Sequence, residues 1–314
     1  MRRLFILIMC ICVALGVAAM PKADSIAVSV PEKHKPWQIV TGAGSSLVLN
    51  AAFTEILKRS VHEWRPDGSD RHSFPSRHTS WAFTASTILS NELYGYSPFY
   101  AVAAHALATA VAQQRVWSNH HYGGDVLAGA ALGVVSTELG YFIARKAFGS
   151  KAPWRYVFDN DFRPEIAVST TGLFFVGDSR YRTTVRSSVG VAFPLSTHWG
   201  IGAKGFVQST PFKLSPTSVK ALNSVGALLS GQYQTQLDCR SLAFVARCDA
   251  GMLRYKRPGS AIVSRWGFAA DATAALSWAL SRSFAASFNV GYSLMTTPRC
   301  VHAISVGVSS VAKF

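Results

Sequence analysis

Every second side chain from residue 284 to residue 294 is apolar: Phe284, Ala286, Phe288, Val290, Tyr292 and Leu294. Between them lie Ala285, Ser287, Asn289, Gly291 and Ser293, all small or polar. Successive side chains of a strand point to opposite faces, so this spacing gives a strand with one apolar and one small, polar face. The pattern recurs at the chain's end, where Ile304, Val306, Val308, Ala312 and Phe314 alternate with Ser305, Gly307, Ser309 and Lys313. It also holds where Val185, Val189, Val191 and Phe193 alternate with Arg186, Ser188, Gly190 and Ala192. Similar stretches begin near Glu165, Trp199, Leu222, Arg240 and Val263. That makes about eight segments of roughly ten residues, separated by turn-forming Asp, Ser, Pro and Gly clusters.

A soluble barrel or sandwich places apolar residues inside and larger charged ones outside. Here the polar face is mostly Gly, Ser, Ala and Asn, which suits the narrow interior of an eight-stranded antiparallel barrel with its apolar face turned to lipid. The terminal Phe314 falls in phase with the apolar face, as in the last strand of bacterial outer-membrane barrels. Residues 163–314 are therefore expected to form such a barrel, with a soluble β-domain as the alternative.

The first half reads differently. Apolar and small residues run through Gln38–Leu57, Thr79–Leu93, Pro98–Gln114 and Asp125–Phe148, with helix-ending breaks between them. A helical bundle over residues 37–148 is expected, joined to the barrel by a linker at 149–162. These Ala-rich segments offer no clean run of about twenty apolar residues. At the start, MRRLFILIMCICVALGVAAM has two arginines, an apolar core and small residues near Ala19, the layout of a secretory signal over residues 1–19. A short N-terminal segment, 20–36, would follow. Cys10 and Cys12 fall in the signal, leaving Cys239, Cys248 and Cys300. Three cysteines make no disulfide framework, and whether Cys239 pairs with Cys248 is left open.

The net charge of +15 directs attention to anions. Residues 160–314 alone carry 16 Lys and Arg against 6 Asp and Glu. The basic residues are scattered singly and form no nucleic-acid module, so phosphates and anionic membrane surfaces are the expected partners.

Three motifs in the helical half make that concrete. LKRSVHEWRP contains Lys58, Arg65 and Pro66; SFPSRHTSW contains Ser76, Arg77 and His78; QRVWSNHHYGGD contains Arg115, His121 and Asp125. In order they read K-x6-RP, PSRH and R-x5-H-x3-D. This resembles the type 2 phosphatidic acid phosphatase (PAP2) superfamily, which also holds class A acid phosphatases and vanadium haloperoxidases. The resemblance covers roughly residues 40–148 and none of the β half.

Carried over position by position, the resemblance implies a metal-independent phosphatase. Lys58, Arg65 and Arg115 would hold the phosphate oxygens, joined by the Ser76 hydroxyl and free N–H groups at the helix start. His121 would attack phosphorus and form a phosphohistidine. Asp125, four residues on, would fix the imidazole tautomer, and His78 would protonate the leaving oxygen. Two positions depart from the family pattern. Arg77 replaces the glycine of PSGH and can add positive charge to the phosphate site, and Gln114 replaces a serine that precedes the arginine.

Combined with an outer-membrane barrel, this places an exported phosphatase domain in the periplasm; the inner membrane or a soluble periplasmic state are the alternatives. The expected substrate is a lipid phosphate (lipid A, a phosphatidate-type lipid or undecaprenyl phosphate) or a small phosphate ester. No cofactor is expected for this activity, and vanadate would act as an inhibitor. In a vanadium haloperoxidase, the first alternative, vanadate would be the cofactor. A non-specific acid phosphatase and a non-enzymatic outer-membrane structural or interaction protein are the others.

Overall fold

The computed structural model describes residues 36–93, 96–148, 162–215, 218–237, 242–256, 264–279, 284–297 and 299–314. The expected signal, the segment after it, nearly all of the linker and Cys239 lie outside these residues. The described residues fall into two compact units, one helical within Pro21–Arg155 and one of strands within Tyr156–Phe314.

The helical unit contains α1 (Pro36–Ser60), α2 (Arg77–Leu93), α3 (Pro98–Trp117) and α4 (Gly123–Ala147). Their ends follow local chemistry. Ser97 caps α3 in extended conformation, its hydroxyl accepting from the Phe99 N–H, with Pro98 at the first helical position. At the start of α4 the Asp125 carboxylate reaches back to accept from the Tyr122 N–H at 2.8 Å.

The bundle is built inside out. The buried face of α1 is Gly42, Ser46, Asn50, Thr54 and Lys58, a polar stripe repeating every four residues. It meets Ser80 of α2, whose hydroxyl donates to Asn50 Oδ1 and lies 3.1 Å from Thr54 Oγ1. Thr137 of α4 donates to the Gly133 carbonyl at 2.9 Å. Outside, Val40, Val48, Leu107 and Val135 are all more than half exposed. Small residues let such helices approach closely. A Cβ placed on Gly133 would lie 2.6 Å from the Ser80 carbonyl oxygen and 2.7 Å from Phe83 Cβ, so α2 rests directly on α4 at this glycine. The expectation that no helix is long and apolar enough to span a bilayer is corrected. The 25-residue helices α1 and α4 both are, with mean hydropathies of 1.2 and 1.6 over their best windows. Gly, Ser and Thr interrupt the apolar run without charging it.

The second unit is a closed barrel of eight strands, each antiparallel to the next. They are β1 (Glu165–Val176), β2 (Thr184–Pro194), β3 (Trp199–Ser215), β4 (Ser218–Gln236), β5 (Leu242–Lys256), β6 (Ser264–Ala279), β7 (Phe284–Thr296) and β8 (Cys300–Lys313). β8 closes on β1, with Val168 opposite Ser310, and the Phe314 N–H donates to the Pro164 carbonyl at 2.9 Å. The alternation emerges as expected: Ile201, Leu229, Met252, Trp266, Phe288 and Ile304 are exposed on the outer face. The strands exceed ten residues, β4 reaching 19.

The lumen holds more than small residues. Arg186 of β2 donates to both carboxylate oxygens of Asp271 on β6, each at 2.8 Å, and Lys204 of β3 reaches Asp271 at 2.9 Å and also pairs with Asp249. Nearer the Glu165 end, Gln232 donates to Glu165 at 2.8 Å and Arg247 to Gln232 at 2.9 Å. Towards the other end Leu173, Phe206, Leu222, Leu228, Leu253 and Met295 form an apolar plug. Arg186 bridges the two layers, its guanidinium 4.4 Å above the Phe206 ring centroid.

Two predictions follow from this packing. Removing Asp271 leaves Arg186 and Lys204 facing each other without their shared carboxylate, so Asp271→Ala should cost about 3–5 kcal/mol. Urea unfolding of the full chain in lipid vesicles checks this, and an unchanged midpoint would contradict the lumen network. Gly133→Val should separate α2 from α4, costing about 1–3 kcal/mol by overpacking, whereas Gly44→Ala, with nothing within 4 Å, should be tolerated. Thermal melts of the two variants make the comparison.

Candidate active site

The three sequence motifs lie on different elements and converge at one end of the bundle. Lys58 ends the polar stripe of α1, Ser76 and His78 open α2, Arg115 closes α3, and His121 and Asp125 enter α4. Asn119, at φ 57°, turns the chain between α3 and α4 in a backbone conformation that asparagine tolerates better than most residues.

Asp125 ties these segments together. Its side chain is buried, and Oδ2 accepts from Ser73 Oγ at 2.5 Å and from the Tyr122 N–H at 2.8 Å. The same oxygen lies 3.6 Å from His121 Nδ1, with both side chains only 2% exposed. Its main-chain carbonyl accepts from the Ser76 N–H at 3.0 Å, joining the first turn of α4 to the start of α2. Burial lowers the pKa of His121, and the Asp125 carboxylate opposes that shift. Nδ1 of the ring faces the Asp125 carboxylate at a distance longer than a hydrogen bond.

The cations gather around this pair. Lys58 Nζ donates to the His72 carbonyl at 2.7 Å, and Arg65 Nε to Asp70 Oδ1 at 2.8 Å. The buried Nε of Arg115 has no hydrogen-bond partner among the described residues. Burial lowers the Arg115 pKa, and the neighbouring Arg65 charge lowers it further. His78 opens to solvent on one edge. Its pKa is lowered by partial burial first, then by Arg115, His121, Arg65 and Arg77.

Two expected phosphate ligands sit differently. The Ser76 hydroxyl is buried, 3.0 Å from Thr79 Oγ1, and its N–H is taken by Asp125. Arg77 is turned outward, its Nη2 donating to Glu55 Oε2 of α1 at 2.9 Å. Gln114 is also exposed, donating to Ser118 Oγ at 2.9 Å.

Several participants were not legible beforehand. Ser73 holds Asp125, Asp70 holds Arg65, and Asp67 accepts from or pairs with His120 Nδ1 at 3.0 Å, tying the 61–76 loop to the 118–122 turn. Glu63 lies against Asp125, and burial and that carboxylate raise its pKa. Its carbonyl accepts from the Ser73 N–H at 3.0 Å. Only Ser73 had a sequence signal, as the first residue of the SFPSRH stretch. By contrast His105, inside α3, is a packed residue, its Nδ1 3.1 Å from Ser90 Oγ and 3.0 Å from the Ala101 carbonyl.

Over 125 residues the chain is 33% identical to a lipid A 1-phosphatase of Porphyromonas gingivalis. That match takes in 40% of this chain and 28% of the relative, so the chain spans under a third of the relative's length. Among solved structures, LpxE of Aquifex aeolicus aligns with 33% of this chain and 68% of its own, at 23% identity and a TM-score of 0.31. Neisserial surface protein A aligns with 48% of this chain and 96% of its own, at 12% identity and a TM-score of 0.37. The family model described as the PAP2 superfamily matches residues 39–148, which take in all three motifs. The helical segment of this chain is a PAP2-superfamily domain, followed in the same chain by a closed eight-stranded antiparallel barrel.

Proposed function

We propose that the helical unit hydrolyses phosphate monoesters of lipids through a phosphohistidine on His121. The observation that carries this reading is the buried Arg115 Nε, a charged donor without a partner among the described residues, in the field of Arg65 and of the buried His121–Asp125 pair. A buried guanidinium N–H left unpaired is costly, and a phosphate oxygen is the partner its fork suits.

In the reaction, Lys58, Arg65 and Arg115 hold the equatorial oxygens while His121 Nε2 attacks phosphorus in line with the leaving group. The P–O ester bond breaks as the N–P bond forms. His78 gives its proton to the departing oxygen, and Asp125 stabilises the positive charge that develops on His121. Neutral His78 then takes a proton from water, which attacks phosphorus and frees inorganic phosphate and His121. No step calls for a metal ion, since the side-chain cations supply the charge.

A lipid substrate is supported by the bundle's outer surface. Its exposed side includes Val40, Val48, Ile56, Leu107 and Val135, while its interior mixes small apolar residues with serine and threonine. That suits contact with acyl chains, and the Porphyromonas relative is described as a lipid A 1-phosphatase. With the barrel as outer-membrane anchor, we place the phosphatase unit on the periplasmic side of that membrane.

Both imidazoles have pKa values below the ordinary 6.5. A lowered value keeps His121 neutral into mildly acidic solution, which favours attack. The same shift means that His78 holds its proton only at acidic pH. Consequently kcat/KM should decline as pH rises through a value below 6.5, giving an acidic optimum. His78→Ala should lose that descending limb. It should lower the rate by about 10²–10⁴-fold on alkyl phosphates and far less on p-nitrophenyl phosphate, whose leaving group needs no proton. Equal losses on both esters would remove His78 from the acid role.

A further inference from the structure

We propose that Arg77, at the position where the family has glycine, recognises a second anionic group on the substrate, beside the phosphate that is cleaved. The inference rests on the phosphatase reading above and goes beyond it. A monoester carries at most two negative charges, and Lys58, Arg65 and Arg115 already answer them. A fourth cation one residue before His78 exceeds what that phosphate needs.

Lys58 is buried and Arg115 partly buried, whereas Arg77 is exposed. Its side chain is 54% exposed, and Nη2 rests on Glu55 Oε2 at 2.9 Å. Glu55 lies three residues before Lys58, one turn back along α1, so the guanidinium sits alongside the phosphate-binding end of that helix. Its charge reaches the site from there, since Arg77 is among the groups that lower the pKa of both His78 and Lys58. The resting contact is easily given up, because an exposed ion pair contributes little. Glu55 would not be left alone either: its other oxygen accepts from Arg59 Nε at 3.1 Å. Arg77 can therefore swing from Glu55 to an incoming anion while α1 keeps its own i,i+4 pair. A planar fork that binds two oxygens at once suits a second phosphate best. The substrate class is thus a lipid that carries a second anionic group besides the phosphate that is cleaved.

The test compares two probes on the full chain in vesicles of neutral phospholipid: a short-chain phosphatidic acid and a bis-phosphorylated glucosamine disaccharide lipid. Arg77→Gln should raise KM for the bis-phosphorylated lipid by about tenfold, the loss of one charge-assisted contact, with kcat little changed. For phosphatidic acid the KM change should stay under about twofold on the same reasoning. Glu55→Gln, which releases Arg77, should leave KM for the bis-phosphorylated lipid the same or lower. Equal KM changes on both probes, or a Glu55→Gln loss matching that of Arg77→Gln, would overturn the proposal and make the pair a structural latch. Wild-type protein inactive on both lipids would instead remove the phosphatase reading on which it stands.

Discussion

The buried carboxylate of Asp125 is the constraint on which the active end of the helical unit depends. One oxygen gathers the Ser73 hydroxyl, the Tyr122 N–H and the His121 ring, and the backbone carbonyl of the same residue takes the Ser76 N–H. Two chain segments, residues 73–76 and residues 121–125, are thereby held at one point. A buried anion is costly unless its hydrogen bonds are made, and here the Ser73 hydroxyl and the Tyr122 N–H make them, beside the histidine proposed as nucleophile. Stability and chemistry draw on the same contacts.

The inside-out bundle and the barrel solve related problems in opposite geometry. In α1, α2 and α4 the inward face is rich in serine, threonine and glycine, so close approach and hydrogen bonding help hold the helices together. In the barrel the small residues face the lumen as well, but charge is concentrated there, with Arg186 and Lys204 sharing Asp271. Both units turn large apolar side chains outward. Such surfaces suit a protein whose surroundings are lipid at one or both units.

What could be read from the chain depended on how local the determinant was. The alternation in β7 and β8 fixes strand, face and barrel because it involves neighbours two residues apart. The spacing from Arg115 through His121 to Asp125 is equally local, since it spans one turn and the first turn of α4. Ser73 holding Asp125 is not legible, because it spans 52 residues and depends on how the 61–76 loop folds. The pairing of Arg186 with Asp271 spans 85 residues and follows from barrel closure, which alternation alone does not register. Arg77 is the instructive case. Its departure from the family pattern was visible, but the direction of its side chain was set by Glu55 on another helix. The membrane-length character of α1 and α4 was missed for a different reason: small polar residues read as interruptions although they carry no charge.

The central claim is covalent chemistry at His121, and trapping the intermediate tests it most directly. Full-length protein mixed with a phosphate ester carrying radioactive phosphorus would be quenched in alkali within milliseconds, since phosphohistidine survives base and not acid. The account predicts label on the peptide containing His121, its appearance preceding phosphate release, and its loss in His121→Ala. Label on another residue, or full turnover by His121→Ala, would contradict it.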